Sequence, residues 1–156
     1  MGSRLQSART YLILACIFVS GCHNQVVLRS DRVVVRLTAQ DTSWKAAYVV
    51  GDAGQTTQLQ TGREVHVPLR ADVQLLLASR DFVSDFTLPE LGLRDFAAPG
   101  IFSEITFRAD RPGRYMLRGD ELCGRPHNEK SVGWLVVEDE SAFQAWVQSR
   151  AREDMK

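Results

Sequence analysis

Residues Arg111 to Lys130 read "RPGRYMLRGDELCGRPHNEK". The Pro112-Gly113 pair suits a type II turn, since proline presets one central residue and glycine accepts positive φ at the next. A strand is expected to follow. The chain then enters a polar loop, "GDELCGRPHNEK" (Gly119–Lys130), and leaves it through a second apolar run, "VGWLVVE" at 132–138. The loop carries Cys123 four residues before His127. A thiol and an imidazole at that spacing, between two strands, raise the question of a metal site.

Outward from this segment the same pattern recurs. "DRVVVRLTAQ" (31–40) is β-branched and reads as a strand, as does "SWKAAYVV" (43–50). In "REVHVPL" Val65 and Val67 share one face, with Glu64 and His66 on the other. "DVQLLLAS" places Val73, Leu75 and Leu77 together, and "SEITFRA" places Ile105 and Phe107 together. "GDAGQTTQLQTG" (51–62) is polar and glycine-containing and reads as a loop. Short strands separated by Gly, Pro and Asp turns predict an all-β sandwich. The period changes in "DESAFQAWVQSR" (139–150). Phe143, Trp146 and Val147 fall on one helical face, with acids at the start and Arg150 near the end. A short C-terminal helix packed on the sandwich is expected.

The 156 residues suffice for one domain with a real core. At 44% hydrophobic and 24% charged, with zero formal charge, the composition favours a globular chain and offers no basis for nucleic-acid binding. The first segment, "MGSRLQSARTYLILACIFVSGC", differs. It has Arg4 and Arg9, no acid, an apolar run from Tyr11 to Val19, then small residues before Cys22. That is the layout of a secretory signal, and the run is shorter than the about 20 residues of a membrane span. "VSGC" resembles the bacterial lipobox, which implies lipidation of Cys22 after removal of residues 1–21. Cys16 would leave with the leader, so Cys123 would be the remaining free thiol and no intrachain disulfide would form. Losing Arg4 and Arg9 from a balanced 19 and 19 leaves a net charge of −2. The expected organisation is a signal over 1–21, anchor and linker over 22–30, one domain over 31–150 and a polar tail over 151–156. The expected location is extracytoplasmic, on a membrane through acyl chains.

From about Leu37 to Val147 the chain resembles the extramembrane domain of subunit II of haem-copper oxidases, the CuA domain. The likeness rests on "TAQDTSWKAAY", "GREVHVPLRADVQLLLASRDFVSDFTLPELG", "GLRDFAAPG", "RPGRYMLRGDELCGRPHNEK" and "VVEDESAFQAW", in matching order and spacing. It implies a cupredoxin-like Greek-key β-sandwich. It also implies a copper loop of the form Cys-x-Glu-x-Cys-Gly-x-x-His-x-x-Met. Here Gly119 takes the first cysteine position, Glu121 the glutamate that offers a carbonyl, Cys123 the second cysteine, His127 the histidine and Lys130 the methionine. Ser84 takes the place of the upstream histidine. In the family a leading aromatic passes electrons from cytochrome c to copper; this chain has Asp41, Thr42 and Ser43 there and keeps only Trp44.

A dinuclear copper centre needs two bridging thiolates, and a blue-copper site needs one cysteine and two histidines. Cys123 and His127 supply neither set, and Asp81, Asp85 and Ser84 are hard donors poorly matched to Cu(I). The expectation is therefore no bound cofactor; the alternative is one weakly held copper ion at Cys123, His127 and Glu121, with Asp120 as a further donor. No catalytic residue is identified, since neither a hydrolase triad nor a phosphate loop is present. The resemblance implies an accessory or structural component of a haem-copper oxidase, as in quinol-oxidising members that keep the sandwich without its copper. The alternative is a periplasmic copper-binding or electron-transfer protein. Expected partners are oxidase subunits and the membrane. His66 is read as a solvated or hydrogen-bonded residue, and Trp44, Trp134 and Trp146 as packing.

Overall fold

The computed structural model describes residues 28, 30–50, 57–122 and 129–153. Among the described residues ten strands form two five-stranded sheets, followed by one α-helix. The strands are β1 (Arg32–Gln40), β2 (Ser43–Val50), β3 (Thr57–Gln60), β4 (Glu64–Pro68), β5 (Asp72–Ser79), β6 (Ser84–Leu88), β7 (Leu93–Ala97), β8 (Ser103–Arg108), β9 (Gly113–Glu121) and β10 (Val132–Glu138); the helix is α1 (Glu140–Glu153). The first sheet has the order β3-β2-β1-β5-β8 and the second β4-β10-β9-β6-β7. The β1–β5 and β4–β10 pairs are parallel, and the others antiparallel. The parallel pairs join strands that are distant in sequence, so the chain crosses between the sheets instead of closing successive hairpins. This is the predicted β-sandwich with its C-terminal helix.

Alternation dictates the layers. Val33, Val35, Leu37 and Ala39 of β1 are buried, as are Val73, Leu75 and Leu77 of β5 and Val65 and Val67 of β4. Opposing rows meet as one core with Trp44, Phe86, Leu117 and Leu135. Helix α1 adds Phe143, Val147 and Ala151 and runs on past Arg150. Asp139 caps it: its Oδ1 accepts from the Ala142 amide at 2.9 Å. Together with the Ser141 hydroxyl, that bond holds the Asp139 carboxyl below its usual range. Among the described residues no helix is long and apolar enough to cross a membrane.

Three readings of local structure are corrected. Thr57–Gln60, inside the expected loop, is an edge strand pairing with β2; its polar composition carries no alternation, and the pairing comes from backbone bonds. Leu93–Ala97, given no strand in the sequence reading, is edge strand β7, paired with β6. Gly113 does not sit at the third position of a type II turn: its φ is 154°, against about +80° for that turn, and it opens β9.

The helix and the sheet edge are tied together at His66. Its ring stacks on Trp146, with centroids 4.2 Å apart and planes 14° apart, and its Nδ1 meets Glu138 Oε1 at 2.7 Å. His66 is thus the hydrogen-bonded alternative, and it is largely withdrawn from solvent, with 12% of its side chain exposed. Tyr48 completes the joint. The His66 amide donates to Tyr48 Oη at 2.6 Å, and that hydroxyl donates to the His66 carbonyl at 2.5 Å. Burial pushes the Tyr48 phenol well above its ordinary pKa, so it remains a neutral donor.

Tyr48→Phe leaves the His66 amide buried without its acceptor. Urea denaturation is expected to show a loss of about 1–3 kcal/mol with the fold retained; an unchanged midpoint would contradict this role.

Candidate metal-loop site

The described residues on either side of the loop of interest lie at one end of the sandwich. Strand β9 leads into the loop and the 3-10 turn Glu129–Ser131 leads out. Strand β6 begins beside it, since Ser84 pairs with Glu121 and Phe86 with Gly119. The β1–β2 hairpin lies over the same end: Ser43 Oγ donates to the Lys130 carbonyl at 3.3 Å, and Trp44 Nε1 to the Ser131 carbonyl at 2.7 Å. Cys123 and His127 lie outside the described residues, as do Cys22 and the leader.

The described positions show what occupies the space at this end. Gly119 is buried on the inward side of β9. A Cβ built there would stand 2.6 Å from Trp44 Cδ1 and 2.9 Å from Phe86 Cε1, closer than side chains approach. On neighbouring β10, a Cβ at Gly133 would stand 2.3 Å from Trp44 Cζ2 and 2.1 Å from the Arg63 carbonyl. The indole therefore rests on two glycines, with Phe86 edge-on at 6.5 Å. A thiolate at position 119 has no room while Trp44 is seated.

The other positions also depart from metal ligation. Ser84 is 2% exposed, and its hydroxyl faces Ser79 Oγ at 3.4 Å. Lys130 is exposed, so its charge is not turned into the core. Asp120 points along the outer face, accepting from Ser131 Oγ and facing Arg118 Nε at 3.2 Å. Asp81 is engaged by the amides of Asp41 and Phe82. Asp85 meets Arg94 Nε at 2.8 Å, and that bond holds the guanidinium above its usual pKa. Glu121 is the exception: its Oε1 is buried without a hydrogen-bond partner, where β9 enters the loop. Among the described residues no three His, Cys, Asp or Glu side chains are grouped to hold a metal ion. The described residues at this end supply no donor set that fits a dinuclear copper centre.

The expected electron entry is also altered. Asp41 and Thr42 form the hairpin turn, and Trp44 is 1% exposed. The sequence did not reveal that Trp44 fills the space beside Gly119. The only hint was glycine at 119 and 133, small residues inside strands, which mark close approach by another group.

Known proteins agree with this architecture. A family model described as cytochrome c oxidase subunit II, periplasmic domain, matches residues 39–138. Cytochrome c oxidase subunit 2 of Myxine glutinosa is 27% identical over 94 residues, 60% of this chain and 41% of the relative. The chain thus spans about two fifths of the length of that relative. The periplasmic domain of subunit II of cytochrome oxidase of Bradyrhizobium japonicum superposes with a TM-score of 0.62 at 23% identity, over 81% of this chain and 98% of that one. A chain of a heme-copper terminal oxidase dimer gives 0.52 at 20% identity, over 70% of this chain and 65% of its own. At these identities the structural likeness establishes the fold.

Gly119→Cys restores the first thiol in name only. The variant is expected to lose about 1–3 kcal/mol in thermal or urea unfolding through overpacking against Trp44. A variant as stable as the parent would show that the pocket has room.

Proposed function

The chain belongs to the family of cytochrome c oxidase subunit II periplasmic domains, and from that premise we propose that it is a lipid-anchored accessory or structural component of a haem-copper respiratory oxidase without a functional dinuclear copper centre. Residues 1–21 serve as the secretory signal, Cys22 as the lipidated residue and 22–30 as anchor and linker. The domain of 31–150 works outside the cytoplasm, with 151–156 as its tail. The observation that carries this reading is the seating of Trp44 and Phe86 against Gly119, which removes the space for one bridging thiolate.

A docking role is supported at the same end of the sandwich. Phe82, Phe96, Ile101, Phe102 and Leu122 are 52–77% exposed. They sit on the β5–β6 connection, β7, the β7–β8 connection and the end of β9, around the entrance to the loop. The Leu122 amide donates to the Val83 carbonyl at 2.9 Å, which holds Leu122 beside the Phe82 segment. Large apolar side chains grouped in solvent mark a surface that a partner covers.

A second reading, a copper-binding protein using Cys123, His127 and Glu121, is favoured by one feature, the unpartnered Glu121 Oε1. Cu(I) titration of the reduced full chain against Cys123→Ser separates the two. Equal affinity is expected for an accessory subunit; an affinity at least about tenfold weaker in the variant would support the metal-binding reading.

The accessory role is tested by affinity purification of the tagged full chain from detergent-solubilised membranes. Haem-copper oxidase subunits are expected to co-purify, and Phe82→Ser with Phe102→Ser to release them without lowering the melting temperature. Repeated recovery of the wild-type chain alone would overturn the proposal.

A further inference from the structure

The outer face of the first sheet carries a groove of about 530 Å³ away from the apolar surface just described. Arg36, Lys45 and Arg80 line it, with Thr38, Gln40 and Gln60 among its polar wall. Register explains how three separate segments meet there. Arg36 pairs with Ala47 and Thr38 with Lys45, so Arg36 and Lys45 are diagonal neighbours on adjacent strands. Arg80 follows β5 on the other side of β1; its amide donates to the Ala39 carbonyl at 3.1 Å and its Nη1 to Gln40 Oε1 at 3.1 Å.

These cations differ from most others around the sandwich. Arg94 is paired with Asp85, Arg108 with Asp72 and Asp110, Arg114 with Glu64, and Arg150 with Glu153. Asp41 also lines the groove, but among the described residues no carboxylate lies within ion-pair distance of Arg36, Lys45 or Arg80. Three unneutralised cations around one groove repel each other, and an anion would relieve that repulsion.

The rim is also strained. Asp41 has φ 52° and Thr42 has φ 62°, the left-handed region that a β-branched residue avoids. A hairpin with positive φ at both central residues ordinarily takes Asn-Gly. Here the turn is fastened from outside, by Asp81 Oδ2 accepting from the Asp41 amide at 2.6 Å. Strain held by neighbouring structure is a feature of binding sites. In this turn it fixes the adjoining Gln40 and Ser43, both of which line the groove.

We propose that this groove binds a phosphate ester, a use independent of the copper loop and of any oxidase partner. A carboxylate offers one charge and two oxygens. A phosphate monoester offers close to two charges and three terminal oxygens, matching a set of cations interleaved with amide and hydroxyl donors. The volume exceeds what a bare phosphate fills and falls in the range of small-molecule sites, about 300–1,000 Å³, so an organic body accompanies the phosphate. The source is a soluble phosphate monoester or the monoester headgroup of an anionic lipid.

The test uses the full chain in non-ionic detergent. It is titrated calorimetrically with glycerol 3-phosphate and, separately, with micelles doped with phosphatidic acid or, as control, phosphatidylcholine. Saturable binding of glycerol 3-phosphate identifies a soluble ester. Binding confined to phosphatidic acid micelles identifies a headgroup. In either case Arg36→Gln with Lys45→Gln is expected to weaken binding by at least about tenfold, and Lys45→Arg to retain it. Arg36 and Lys45 are exposed, so the double variant is expected to melt as the parent does. Absence of binding in both arms, or equal binding by the double variant, would overturn the proposal. Neither result would bear on co-purification with an oxidase.

Discussion

One contact organises the end of the sandwich from which β9 leads into the loop: the indole of Trp44 lying across Gly119 and Gly133. It bridges the two sheets, because Trp44 is on β2 and the glycines are on β9 and β10. Its Nε1–H is satisfied inside the protein by the Ser131 carbonyl, so the ring can be withdrawn from water without leaving a polar atom unpaired. The same bond fixes the far side of the loop, since Ser131 closes the 3-10 turn that leads into β10. Close packing then excludes anything larger than hydrogen at position 119.

This constraint separates fold from cofactor. A cupredoxin sandwich is stabilised by its two buried sheet faces, and those are complete here with Val35, Leu75, Leu117 and Leu135 fully enclosed. Nothing in that core requires a metal. The ligand positions lie at the rim of the core, where Ser84 and Glu121 face each other across β6 and β9. Substituting these rim positions removes donor atoms and leaves the layers intact. Among the described residues of this end, Phe82, Phe96, Ile101, Phe102 and Leu122 leave apolar surface exposed.

Much of the architecture was readable from residue order. The alternation in β1, β4, β5 and β10 marked both period and inward face, and the change of period at Asp139 marked the helix. β3 was not readable, because Thr57, Gln58 and Gln60 are polar and its pairing depends on the backbone of β2. Nor was β7, whose residues Arg94 and Phe96 are exposed at a sheet edge. At the site, the residues that stand where the resemblance implies donors were visible as identities: Gly119, Ser84 and Lys130. The reason one of them could not simply be restored was not visible, because it is a contact between β2 and β9 made only in three dimensions. The cationic groove was hidden for the same reason, its charges coming from two strands and a connection that meet through sheet register.

The most direct test of the central claim is the copper stoichiometry of the reduced, copper-loaded full chain, read with its visible and electron paramagnetic resonance spectra. With the thiolate position filled by the indole, the chain is expected to hold at most one copper ion and to show no signal from an electron shared between two. Two coppers per chain with a delocalised mixed-valence spectrum would contradict the account.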